Sequence, residues 1–250
     1  MSENTELIDN IKNSNGALTV FNDSIYGNLW YVDKLNKLCF TFTPRGGCSI
    51  SYQCYLDLLG LLNDGLNYNS FIHKYRGELF NKNVETIPIN VLSNEGYTFI
   101  KFIINPYIRA VSIFRAQTSH NLSFRDYLKQ LVNNEIDYFN DNDKYHLHQQ
   151  YIKDEESVIN KYICIDKYEK HTIKLHNGDD YIINVNKYTS PHHGKKTKDS
   201  TFCGDVSKNE INRKLPCSYR YFYDNEIKSL VEKYYKEDIE KYSFSFEDFV

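Results

Sequence analysis

The chain has 250 residues, with 30 basic and 33 acidic side chains, a formal net charge of −3 and a mean hydropathy of −0.59. A hydrophobic fraction of 41% beside 25% charged residues supports a buried core and excludes a wholly disordered chain. The near balance of charge lacks the electrostatic footprint of a protein that coats nucleic acid, so no nucleic-acid partner is expected.

Residues 1–30 are rich in Asn, Ser and Asp and lack clear periodicity, so they read as a flexible or loosely docked arm ahead of a single domain over 31–250. The polar opening MSENTELIDN has no basic and apolar leader, and no run approaches the roughly 18 apolar residues of a membrane helix. Both features point to a cytoplasmic protein without a membrane span. Lys37–Phe42 is a short β-prone run, followed by the turn-like Thr43-Pro44-Arg45-Gly46-Gly47-Cys48. From Ser49, a candidate N-cap, to Leu62 the apolar residues Ile50, Cys54, Leu58 and Leu61 recur at helical spacing.

Tyr97–Ile104 is an almost continuous apolar run, as in strands buried on both faces. It ends at Asn105-Pro106, where proline suits the first turn of a helix carrying Ile108, Val111, Ser112 and Arg115. Further on, the pattern predicts a helix over Ser123–Asn133, strands near Tyr162–Ile165 and Tyr181–Val185, and a closing helix from about Asp224 to Tyr242. Strands alternating with helices give an α/β layered domain with a mainly parallel sheet flanked by helices. The 22 Tyr and 15 Phe are spread along the whole chain, so they read as core and core margin rather than as a stacking platform. Six cysteines without a CxxC pair read as reduced thiols, not as a disulfide framework or a zinc site, and no metal is expected.

Two turns carry the candidate chemistry. At Pro44 the paired glycines let backbone N–H groups converge, the following helix adds its positive end, and Arg45 adds a planar cation, which together make an anion site; a plain strand-to-helix turn is the alternative. The nucleotide loop GxxxxGK[ST] is absent, which disfavours an ordinary NTPase or a kinase-type phosphoryl transferase. At the second turn Arg109 and Ser112 stand three apart on one helical face near the end of a buried strand, where open α/β sheets collect ligands.

Together these units resemble the sulfotransferases that use 3′-phosphoadenosine 5′-phosphosulfate (PAPS), in particular the carbohydrate-modifying branch. Phe42-Thr43-Pro44-Arg45-Gly46-Gly47-Cys48-Ser49-Ile50 is similar to that family's 5′-phosphosulfate loop, Pro-Lys-x-Gly-x-[Thr/Ser]-[Ser/Thr]. Phe102–Phe114 is similar to its 3′-phosphate signature, Phe-Val-Arg-Asp-Pro-Tyr-x-Arg-x-x-Ser-x-Phe, and Tyr223-Asp224-Asn225-Glu226 through Tyr234, Asp238 and Phe244 to its closing helix. The resemblance spans about residues 37–246 and implies a P-loop-like three-layer fold. It implies that Arg45, Gly46, Gly47, Cys48, Ser49 and Ile50 hold the phosphosulfate and that Ser112 and Arg109 serve the 3′-phosphate. The implied reaction is in-line transfer of a sulfuryl group to an acceptor hydroxyl, on a glycan by analogy with the branch, with no metal.

Two positions depart from the family. Arg45 replaces a lysine, so a flat guanidinium stands where an ammonium acts as a point charge. Ile104 replaces the 3′-phosphate arginine, a contact worth about 1.5–3 kcal/mol, which predicts roughly ten- to a hundredfold weaker cofactor binding. Lys195, Lys196 or Lys198, in a basic late loop, is expected to compensate. A neutral imidazole is the natural proton acceptor near neutral pH. His73 falls about where family members with a histidine base place it, while His146 and His148 resemble a His-and-Gln element near the acceptor groove of carbohydrate sulfotransferases. Glu78 is a weaker carboxylate candidate. The alternative reading is a catalytically degenerate member that binds a nucleotide or glycan without turnover.

Overall fold

The two apolar runs that the sequence marks as central strands lie side by side and parallel, Leu38 opposite Thr98 through Phe42 opposite Phe102. The computed structural model describes residues 2–14, 17–21, 29–88, 92, 96–137, 139–167, 169–188, 201–214 and 218–249. In chain order the elements are α1 (Ser2–Asn13), β1 (Ala17–Phe21), β2 (Leu29–Asp33), β3 (Leu38–Phe42), α2 (Cys48–Leu58), α3 (Leu62–Tyr68), α4 (Ile72–Tyr75), α5 (Asn81–Asn83), β4 (Glu85–Pro88) and β5 (Thr98–Ile103). Then follow α6 (Pro106–Ala116), α7 (Phe124–Asn133), α8 (Asp141–Tyr145), β6 (Lys161–Cys164), β7 (Lys170–Lys174), β8 (Asp180–Asn184), α9 (Lys208–Lys214), α10 (Asn225–Tyr234) and α11 (Lys236–Tyr242).

The main sheet runs β4-β1-β2-β3-β5-β6. Pairs β1–β4, β3–β5 and β5–β6 are parallel, while β1–β2 and β2–β3 are antiparallel. The protein is therefore α/β with a mixed sheet that is parallel on its β3–β5–β6 side. The antiparallel part comes from a tight β2–β3 connection, where Asp33 accepts from the backbone N–H and side-chain amide of Asn36 at 3.1 and 2.6 Å and Lys37 turns left-handed at φ 52. Strand β1 lies within the stretch expected as an arm. The strand expected near Tyr181–Val185 forms as β8, and among the described residues it pairs with β7 in a hairpin separate from the main sheet.

The chain divides into two compact units. The first holds the sheet, α1–α5 and the hairpin; the second holds residues 44–46 and α6–α11. In the first unit the period-two alternation of β-strands sends Tyr31, Phe40 and Phe102 to one face of the sheet and Trp30, Val32, Cys39 and Phe99 to the other. On the first face Tyr31 meets Tyr52 at 5.0 Å and Phe40 meets Tyr55 at 5.9 Å, so α2 buries its aromatic side there. The Tyr55 hydroxyl donates to the Val32 carbonyl at 2.9 Å, which satisfies a polar tip inside this core. Lys101 is buried on β5 and pairs with Glu155 at 2.5 Å.

The second unit packs Tyr107, Val111 and Phe114 of α6 with Tyr127 and Leu131 of α7 and Val231 of α10. Ser123 caps α7 by accepting from Asp126 N–H at 3.1 Å, as its sequence position predicts. The expected single closing helix is two, broken at Tyr235 (φ −101, ψ 32). The expectation of six reduced thiols is corrected: Cys39, Cys48, Cys54 and Cys164 are free, but Cys203 is disulfide-bonded, a state that persists in oxidising compartments. Among the described residues no helix is long and apolar enough to cross a membrane.

His120 lies in an aromatic stack, 5.0 Å from the ring of Tyr127 and 5.4 Å from that of Phe139. Leu122 N–H donates to its Nδ1 at 3.3 Å, which leaves Nε2–H to donate to Gln117 Oε1 at 3.0 Å in a neutral ring. Burial, helped by the charge of Lys208, pushes its pKa down to about 4. Between the ordinary value of 6.5 and about 4 the unfolded chain binds a proton that the folded chain does not, so stability falls as pH drops through that window. The expected result is that melting temperature declines between pH 7 and pH 4.5 less steeply in His120→Phe than in the wild type, measured by calorimetry at matched ionic strength.

Candidate functional site

The loop joining β3 to α2 alternates backbone handedness. Arg45 (φ 60) and Gly47 (φ 93, ψ 23) are left-handed and Gly46 between them is not, an alternation that turns successive N–H groups toward one side. Gly47, not Ser49, occupies the N-cap position, and α2 begins at Cys48 with no capping side chain on its first N–H groups. Glycine is favoured here chiefly by its backbone conformation. Its φ disfavours any side chain, and a Cβ there would lie 2.4 Å from Ile165 Cδ1.

Within the first unit, the first turn of α2 meets α4. His73 Nε2 stands 2.8 Å from Ser49 Oγ and 3.6 Å from Cys48 Sγ, so three of the predicted site residues come together here. Ser49 donates to Nε2 whenever that nitrogen is unprotonated. Three residues further on is Arg76, which sequence reasoning missed. Its guanidinium lies 6.0 Å from the Phe42 ring centre and 5.9 Å from that of Tyr52. Burial pushes the Tyr31 phenol up to about 12, and the nearby Arg76 charge opposes that rise. The only sequence signal for Arg76 was its i, i+3 spacing from His73. Glu78, by contrast, is exposed and accepts from the Tyr68 hydroxyl at 2.6 Å.

Within the second unit, Arg109 is fully buried on α6. Its Nε and Nη2 donate to the Pro44 carbonyl at 3.3 and 3.1 Å, and Nη2 also to the carbonyls of His146 and His148 at 3.2 and 2.6 Å. Nη1 stands 3.9 Å from Asp238 Oδ2. Arg109 thus fastens the backbone just before Arg45 to the segment carrying both histidines. Burial lowers the pKa of His146, and the Arg45 charge lowers it further. Its Nδ1 is 2.6 Å from the Asn142 carbonyl, which can only accept, so Nδ1 carries the proton and Nε2 is left as the basic nitrogen. Burial likewise lowers His148, with Arg109 adding to the shift.

Ser112 is half-buried on α6. Ile104 is buried, and both its backbone groups are tied to the Gln150 amide, N–H to Oε1 at 3.0 Å and O from Nε2 at 2.8 Å. Lys195, Lys196 and Lys198 lie outside the described residues. Among the described residues no group of three His, Cys, Asp or Glu side chains is placed to hold a metal ion.

Two substitutions test this geometry. Gly47→Ala is expected to cost about 1–3 kcal/mol of stability through its left-handed φ, read as a lower urea midpoint at unchanged slope. Arg109→Met strands Asp238 and three carbonyls, for an expected loss of about 3–5 kcal/mol by the same measurement.

No protein-family model matches this chain, and neither does any curated protein or solved structure.

Proposed function

We propose that the chain is a PAPS-dependent sulfotransferase of P-loop-like design that moves a sulfuryl group to an acceptor hydroxyl, on a carbohydrate. The observation that carries this reading is the contact of His73 Nε2 with Ser49 Oγ, which puts a base beside the loop that resembles the family's phosphosulfate cradle. PAPS, when bound, supplies an activated sulfuryl group. The backbone N–H groups at the uncapped start of α2 and the Arg45 cation are the donors that fit an anionic 5′-phosphosulfate. His73 Nε2 then takes the proton of the acceptor hydroxyl, and Ser49 is the partner that holds the ring until the acceptor arrives. His146 and His148 are assigned a supporting role, because their carbonyls anchor Arg109, which in turn holds Pro44.

One observation favours the degenerate alternative. The position of the family's 3′-phosphate arginine is a buried isoleucine, and the neighbouring Arg109 already spends its Nε and Nη2 donors on carbonyls. Cofactor binding is therefore expected to be weak but measurable.

Calorimetric titration with 3′-phosphoadenosine 5′-phosphate (PAP), beside magnesium-ADP, separates the readings. The expected outcome is selective binding of PAP that Arg45→Ala abolishes; absence of PAP binding refutes the reading, and binding of magnesium-ADP alone favours a kinase-type enzyme. His73→Ala is expected to keep PAP affinity while sulfuryl transfer to a panel of oligosaccharides falls by about 10²–10⁴, the usual contribution of a general base. Unimpaired transfer by that variant would remove His73 from the mechanism.

A further inference from the structure

Helix α4 continues without a break into a π-helical turn over Arg76–Phe80, a feature that recurs at functional sites. His73 and Arg76, three residues apart, project from one face. The first reaches Ser49 and Cys48 in the opening turn of α2, and the second lies against Tyr52, one turn further along α2, and against Phe42 at the end of β3. Arg76 is half-buried beside the Tyr31 phenol, a hydrogen-bonding partner without charge, and among the described residues no carboxylate stands within ion-pair distance of it. Glu78, the acidic residue two positions on, is exposed and engaged with Tyr68. Tyr52, whose ring the guanidinium faces, keeps a buried hydroxyl with no hydrogen-bond partner among the described residues.

A half-buried cation without a counter-ion is costly, and one flanked by two rings has its planar fork held in a fixed orientation. Such a fork matches the paired oxygens of a carboxylate or a sulfate ester. The loop has its own donors for the phosphosulfate, whereas Arg76 shares its face with the group assigned to the acceptor hydroxyl. We infer that Arg76 binds an anionic group of the acceptor, a carboxylate or sulfate ester close to the hydroxyl that is modified, so that the enzyme selects acidic over neutral acceptors. This inference rests on the transferase reading above.

The test uses the full chain saturated with PAP and three probes of equal ring size, glucuronate, glucose 6-sulfate and glucose, titrated by NMR chemical-shift change. At least one of the two acids is expected to bind about tenfold more tightly than glucose, and the one preferred identifies the anion as carboxylate or sulfate. In Arg76→Gln that preference is expected to vanish while PAP affinity stays within about twofold of wild type. Arg76→Lys, which keeps the charge and loses the fork, is expected to retain part of the preference and serves as the test if the glutamine variant does not fold. Equal binding of all three sugars, or a preference that survives Arg76→Gln, overturns the inference. Loss of PAP affinity in Arg76→Gln also overturns it, because it assigns Arg76 to the donor. Failure of the wild type to bind PAP is a separate outcome, which removes the transferase reading and this inference with it.

Discussion

Gly47 holds the N-cap of α2 in a left-handed conformation that side chains rarely adopt, and α2 begins at the next residue. Starting the helix at Cys48 puts Cys48 and Ser49 in its first turn with their backbone N–H groups uncapped. The same start carries Tyr52 and Tyr55 onto the aromatic face of the sheet, where Tyr31 and Phe40 receive them. Moving the helix start by one residue would rotate its side chains by about 100°, so Ser49 would leave His73 and the aromatic packing would be lost together. Core and site are thus set by one backbone conformation.

Charge burial supplies the second constraint. Arg109 sits in the second unit with no exposed surface, and its donors hold the carbonyls of Pro44, His146 and His148. A buried guanidinium is tolerated only where such partners surround it. Asp238 faces it at 3.9 Å and is held in turn by the Tyr151 N–H at 2.7 Å. The residue that family resemblance would assign to a phosphate is therefore bound up in shaping the backbone beside Arg45, while Arg76, to which no motif drew attention, lies beside the rings of Phe42 and Tyr52 and the Tyr31 phenol, with no carboxylate at ion-pair distance among the described residues.

The sequence made the parts with strong local signals legible. Proline at the first turn of α6, Ser123 at the N-cap of α7 and the continuous apolar run of β5 each specify their element by short-range chemistry, and the structure places them within a residue or two of expectation. Strand β2 was hidden because Leu29–Asp33 is a brief run beside an Asn- and Asp-rich stretch, and its identity as a strand depends on pairing with both β1 and β3. The N-cap at Gly47 was hidden because a serine two residues later offers a familiar cap, whereas the left-handed turn at Gly47 starts the helix two residues earlier. Of the candidate bases, His73 was singled out by the family resemblance and not by any local signal, and it is the turn at α3–α4 that brings its ring to Ser49. Arg76 was illegible because a lone arginine on a short helix usually meets solvent or a carboxylate, and nothing local indicates that its neighbours are Phe42 and Tyr52.

The central claim is that the start of α2 is an anion cradle with His73 as the base beside it. A crystal structure of the chain with PAP bound tests it most directly. The account predicts the 5′-phosphate on the N–H groups of Gly47, Cys48 and Ser49, with His73 Nε2 facing the side from which an acceptor hydroxyl would approach. A 5′-phosphate bound anywhere else, with these N–H groups left to solvent, would contradict it.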